Sequence, residues 1–287
     1  MFLAAVAAAS TSAPEHAGGL PMAAPILFHL GPLVITNSML VAWIVAALLI
    51  IGAQLATRKI KAVPSGAQNL AEWVVESLLS FLTDILGAAL AKRTFWFLAT
   101  LFVFILGLNW FGLLPGVGTI GYGEGEHWYH LEMVRPFLRG ANADLNLPLA
   151  MSLVFFVLWT YWAFATNGPA GVAKHIFGSK GDFAGIVGLL MALVFLAVGV
   201  LEVISILIRP IALTFRLYGN VYGGEVMIDA MMSVVPWLSW LIPLPFYFYE
   251  LLVGAVQALV FCLLCAVFIA MMCRHDDEHA TEEGGHH

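Results

Sequence analysis

Glu202, Arg209 and Arg216 recur every seven residues inside an apolar stretch that runs from Phe183 to Val235. On a helix this spacing, with Ser205, Asn220 and Gly223 close to the same line, draws one narrow polar stripe. A charge at mid-bilayer costs at least about 2.5–3.5 kcal/mol, so such residues face a protein interior or an aqueous cavity and mark an ion path. Glu225 and Asp229 lie further along the stretch, and the last apolar run carries Glu250, Gly254 and Gln257 on one face. Carboxylates in this setting can take up and release protons. A guanidinium stays protonated throughout, so its use on a proton path is electrostatic.

The two arginines are not equivalent. Arg209 precedes Pro210, and two readings stand side by side: a place on the path, or a structural role in which it pairs with Glu202 or bonds the carbonyl that the proline frees. The structural role is favoured, because a helix break in an apolar setting needs polar groups satisfied nearby. Arg216 opens the run Arg216-Leu217-Tyr218-Gly219-Asn220-Val221-Tyr222-Gly223-Gly224-Glu225. Its small residues let another helix come close beside a fixed positive charge.

The elements that hold these residues follow from composition. Of 287 residues, 61% are hydrophobic and only 10% charged. Apolar runs longer than the roughly 18 residues needed to cross a hydrocarbon core point to an all-helical membrane bundle, with no strands of alternating polarity. Five crossings are expected, at about Leu33 to Thr57, Thr94 to Leu114, Leu147 to Thr166, Phe183 to Val235 and Pro245 to Cys273. The fourth is long: some fifty helical residues are about 75 Å against about 30 Å of hydrocarbon, so it must tilt, bend or run partly sideways. Segment 1–32 is expected outside the membrane, 33–273 as one integral membrane domain, and 274–287 as an acidic, histidine-rich tail. Between the first two spans, Gly66 to Leu90 sets Gln68, Glu72, Glu76 and Ser80 opposite Leu70, Trp73, Val74, Phe81 and Leu82. Such a helix lies on the cytoplasmic membrane surface or packs on a partner.

The basic residues orient the chain. Arg58, Lys59, Lys61, Lys92 and Arg93 bracket the first loop, Lys174 and Lys180 sit in the third, and Arg274 follows the last span. The positive-inside rule makes these positions cytoplasmic, with the N-terminus outside and the C-terminus inside. Arg135 and Arg139 then fall outside, among Glu124, Glu126, Glu132 and Asp144. The formal charge of −6 derives largely from the tail and the loop around Glu124, so nucleic acid is not a partner the composition indicates.

Other features carry no chemistry. Cys262, Cys265 and Cys273 read as small hydrophobes of an apolar run. Glu124, Glu126, His127 and His130, and the tail histidines His275, His279, His286 and His287, read as solvated sequence without a closed metal-ligand set. Trp43, Trp96, Trp110 and Trp159 suit interfacial anchoring or bundle packing. Met1 to Pro14 holds an alanine-rich stretch of signal type with no basic segment before it.

The run Arg209-Pro210-Ile211-Ala212-Leu213-Thr214-Phe215-Arg216-Leu217-Tyr218-Gly219-Asn220 resembles the signature around the essential arginine of subunit a of F-type ATP synthases. Leu201-Glu202, Asn109, Leu113-Leu114-Pro115 and Asp144-Leu145-Asn146 resemble further parts of that family, as do Glu250 and Gln257, seven apart on the last span. Many members pair one carboxylate with one histidine at the positions of Glu225 and Glu250, whereas here both are glutamates. The resemblance implies a stationary, non-catalytic subunit without cofactor or metal, in a bacterial inner membrane. Its last two helices would be long and tilted against a rotating ring of c subunits, and its partners would include the subunit b peripheral stalk and the rest of the F1F0 complex.

It further implies two aqueous half-channels that do not meet, with transported H⁺ crossing the gap on ring carboxylates. Along a regular helix Arg216 stands about 21 Å from Glu202 and about 13 Å from Glu225, between carboxylates on opposite sides. Glu225, Glu250, Gln257 and Asn220 are then expected to line the outer inlet, with Glu202 and Ser205 near the inner outlet. Arg209, Asp144 and Asn146 are assigned secondary, structural parts. A stand-alone transporter would show inverted repeats or paired broken helices, and neither is visible. A purely structural membrane subunit would keep expensive intramembrane charges for packing alone.

Overall fold

Backbone amides and carbonyls have no water to bond in hydrocarbon, so the long apolar runs close their hydrogen bonds internally as helices. A computed structural model describes residues 24–30, 33–58, 60–114, 116–118, 121–124, 132–177, 185–234 and 241–273. The alanine-rich start of the chain, Lys59, Lys180, the segment holding Glu126, His127 and His130, and the tail from Arg274 lie outside the described residues. The helices are α1 (Asn37–Thr57), α2 (Ala67–Leu86), α3 (Ala88–Gly112), α4 (Asn146–Phe177), α5 (Gly185–Val234) and α6 (Leu244–Cys273). All except α2 are long and apolar enough to cross a bilayer, so the chain is an all-α membrane protein with five such helices among the described residues.

Among the described residues two small strand pairs accompany the helices: β1 (Ile26–Leu30) with β2 (Leu33–Thr36), and β3 (Gly121–Glu124) with β4 (Glu132–Pro136), both antiparallel. Residues Leu33 to Thr36, expected as the start of the first span, pair instead as β2. Leu-Val-Ile-Thr is β-branched at its last three positions and finds a strand partner in β1. Thr36 then marks the change to helix. Its Oγ1 accepts from the Met39 N–H at 3.4 Å, where an N-cap oxygen sits.

Glycines and a proline set other boundaries. Gly87, at φ 80°, separates α2 from α3: its N–H donates to the Thr83 carbonyl and its own carbonyl accepts from Ala91. A residue with a Cβ resists that φ, so the amphipathic segment ends at Leu86 rather than Leu90, and α3 starts at Ala88, ahead of the expected Thr94, taking in Lys92 and Arg93. Gly168, at φ 67°, breaks α4 just beyond the expected end of the third span, and Pro169 opens the next helical run.

The chain divides into two compact units. The first comprises Met1–Ala47, Gly107–Leu147 and Tyr218–Ala255. Its interior holds Ile35, Val41, Val45 and Leu108 together with an unusual share of polar groups, Asn37, Ser38, Asn109, Arg139, Asn142 and Asp144.

The second unit comprises Leu48–Leu106, Pro148–Leu217 and Val256–His287. Its interior is apolar and aromatic. Phe97 meets Trp162 edge-on, Phe155 lies against Phe268, and Trp159 Nε1 donates to the Phe268 carbonyl at 2.9 Å. Cys262 and Cys265 are fully buried free thiols, and Cys262 Sγ donates to the Leu98 carbonyl at 3.6 Å, in keeping with packing rather than redox work. Trp159 is buried here, whereas Trp43, Trp96 and Trp110 are exposed.

Candidate functional site

In the second unit, α5 carries Glu202, Ser205, Arg209 and Arg216. Its packed side presents Ile206, Pro210, Leu213, Thr214 and Leu217, all buried, and Thr214 shares a 2.6 Å hydroxyl–hydroxyl hydrogen bond with Ser152 of α4. Thr214 Oγ1 also donates to the Pro210 carbonyl at 2.8 Å. Ser205, Ala212 and Arg216 are exposed on the side not used for this packing. Among the described residues no ion pair is present at Arg216.

Arg209 behaves differently. It is half-buried, with its guanidinium 4.7 Å from the Phe268 ring centroid and 5.8 Å from that of Trp159, and Glu202 interacts with it electrostatically. Cation–π contact of this kind offsets the cost of placing a guanidinium among apolar helices. Gln257, on α6 in the same unit, is buried at 6% exposure.

In the first unit the chain between β4 and α4 makes the polar interior. Arg139, Gly140, a short 3-10 turn (Ala141–Ala143) and Asp144 are all buried. Buried polar groups need hydrogen-bond partners, and side chains supply several of them here. Ser38 Oγ donates to Asp144 Oδ2 at 2.7 Å, and Asn146 donates to Asp144 Oδ1 through its side chain at 3.0 Å and its backbone at 3.3 Å. Asn142 Nδ2 donates to Asn109 Oδ1 at 2.7 Å, and Asn109 Nδ2 passes the chain on to the Gly254 carbonyl at 2.9 Å. Asp144 and Asn146 thus join each other and tie the run to α1, while Asn142 ties it to α3 and α6.

Glu225 of α5 stands against this run. Its Oε2 lies 3.5 Å from Arg139 Nε, an ion pair rather than a tight hydrogen bond, and the Gly140 N–H faces the same carboxylate. The Arg139 guanidinium also lies 6.0 Å from the Tyr222 ring centroid. Glu250 packs its carboxyl against Gly224, next to Glu225, and the two glutamates interact electrostatically. Asn220 is half-buried in the same unit.

The sequence groups Arg139 with Glu124, Glu126, Glu132 and Asp144 and does not single it out; its burial beside Glu225 is seen only in the fold. The one signal was its setting: Phe137-Leu138-Arg139-Gly140-Ala141 is apolar and small, unlike the acidic segment before it. Ser38 and Asn142 were missed because single polar residues at segment edges look alike until their partners are known.

The model of the family described as "ATP synthase A chain" matches residues 39–270. The chain is 32% identical to ATP synthase subunit a of Gloeobacter violaceus over 256 residues, 88% of this chain and 91% of that one. It is 30% identical to ATP synthase subunit a of Moorella thermoacetica over 244 residues (85% and 94%), and 33% identical to that of Solidesulfovibrio magneticus over 236 residues (82% and 84%). A match over five membrane-length helices, embracing both the Arg216 run of α5 and the carboxylates of α5 and α6, leaves one assignment: the chain belongs to the ATP synthase A chain family, that of subunit a of F-type ATP synthases.

Proposed function

We propose that the chain is the non-catalytic, proton-translocating stator subunit of the membrane sector, with Arg216 as the charge that exchanges ring carboxylates between two half-channels. The observation that carries this reading is the exposure of Arg216 on α5 while Leu213, Thr214 and Leu217 of the same turns are buried. A guanidinium displayed on an unpacked side of a membrane helix is too costly to face lipid, so an anion or water from outside the chain covers it. A ring of c subunits carrying one carboxylate each meets that need, and Ala212 beside Arg216 leaves room for a close helix.

In this reading a proton enters from the outer side by way of Glu225, Glu250, Asn220 and Gln257 and passes to a ring carboxylate. It rides the ring and leaves near Glu202 and Ser205. Arg216 draws the arriving carboxylate, favours its ionised form so that it sheds its proton, and bars a direct leak. Each charge that crosses supplies about 2.3 kcal/mol per 100 mV, so the rotor sums several transfers for one phosphorylation in the F1 headpiece. The same reading puts the N-terminus outside and the C-terminus in the cytoplasm of a bacterial inner membrane, α2 on the cytoplasmic surface, and the subunit b stalk among the partners.

The test is Arg216→Ala in vesicles bearing the whole complex. Coupled ATP synthesis is expected to vanish while passive proton leak, followed by dye quenching, rises. Normal coupled synthesis in that variant refutes the role.

A further inference from the structure

The proton path just described uses the exposed Arg216 and leaves unused a buried cation, Arg139. We propose that Arg139 is a positioning residue of the outer inlet, a fixed guanidinium that holds the Glu225 carboxylate in place and balances its charge between one proton and the next. The proposal rests on the reading of Glu225 as part of that inlet.

Four observations within the first unit converge on it. Arg139 is sealed, its side chain 3% exposed, whereas that of Glu225 keeps 22%, so one member of the pair is closed off and the other retains an opening. The Arg139 backbone belongs to the buried run 139–144, which the Asn142–Asn109–Gly254 chain and the Ser38–Asp144 bond hold to α1, α3 and α6. Gly140 lets the carboxylate approach: a Cβ there would come within 2.5 Å of Glu225 Oε1. Tyr222, one turn before Glu225, offers its ring to the same guanidinium.

A buried ion pair is weak support for a fold, because desolvation consumes most of what the charges gain from each other. A pair with one sealed and one open partner suits a different task. A proton arriving from outer water binds the Glu225 carboxylate and relaxes its hold on Arg139. When the proton passes on to the ring carboxylate, the ion pair forms again and returns Glu225 to its starting place. Arg139 carries no proton at any point.

The experiment uses the whole complex in vesicles and measures passive proton flux after removal of the F1 headpiece, normalised to the amount of assembled subunit. Arg139→Gln is expected to lower flux about tenfold, within the coupling range of contacting residues, and Arg139→Lys to recover it to within about threefold. In a Glu225→Gln background, Arg139→Gln is expected to cause no further loss, since the carboxylate it serves is gone. Wild-type flux in Arg139→Gln, or an equal loss in both backgrounds, overturns the proposal.

Should Arg139→Gln fail to assemble because it leaves Glu225 as an orphaned charge, the double variant Arg139→Gln/Glu225→Gln removes both charges and is expected to assemble. Its failure to assemble overturns the proposal too. Arg216→Ala measured in parallel separates the two ideas. Coupled synthesis surviving in that variant sinks the proton-path reading itself, whereas its loss alongside normal flux in Arg139→Gln sinks only the role of Arg139.

Discussion

Asn109 of α3 reaches Gly254 of α6 so closely that its Nδ2 donates to the Gly254 carbonyl at 2.9 Å, while a Cβ on Gly254 would lie 3.0 Å from the Asn109 Cβ. The amide that bridges the two helices therefore depends on a missing side chain. Gly254→Ala is expected to push Asn109 away, weaken its bond with Asn142 and destabilise the subunit by about 1–3 kcal/mol, as overpacking does. A lower melting temperature of the purified complex checks this, and an unchanged one counts against it.

Gly224 tests the placement of Glu250. A Cβ there would collide with the Glu250 carboxyl, so Gly224→Ala is expected to displace that group. Proton flux should fall about as far as in Glu250→Gln, and combining the two should add little, because contacting residues that share one function are not additive. Glu225→Gln and Glu250→Gln are each expected to leave residual flux if the pair shares the task. Abolition of all flux by either single change rejects sharing.

Ser38→Ala removes the hydroxyl that donates to buried Asp144 Oδ2. A buried carboxylate deprived of one donor costs about 1–3 kcal/mol. The expected result is less assembled subunit in the membrane by immunoblot, with near-normal flux per assembled complex. A large drop in flux per complex would move Ser38 from the scaffold to the path.

Arg209→Met keeps an unbranched apolar stem but removes the cation that sits over Phe268 and Trp159. Loss of two cation–π contacts is expected to cost about 1–2 kcal/mol in thermal stability. Coupled synthesis per assembled complex should stay close to normal, in contrast to Arg216→Ala. Equal damage from both substitutions would end the distinction drawn between the two arginines.

What the sequence determined by itself was whatever depends on short range. Helix lengths follow from runs of apolar residues, because hydrocarbon forces each run to satisfy its own backbone, and Glu202, Arg209 and Arg216 stand out because a charge in such a run is expensive wherever the helix lies. The end of the third span, expected at about Thr166 and met by the break at Gly168 and Pro169, likewise depends on neighbouring residues. Tertiary structure alone decided the pairings. Arg139 is one charge among several in its stretch of sequence until α5 brings Glu225 against it, and Asn109, Asn142 and Gly254 form one hydrogen-bonded chain only when α3, the 3-10 turn and α6 meet. The β1–β2 hairpin belongs with them, since Leu33 to Thr36 become a strand only through the partner that Ile26 to Leu30 supply. Burial and partnership are properties of distant segments brought together, and no local pattern of residues records which distant segment will arrive.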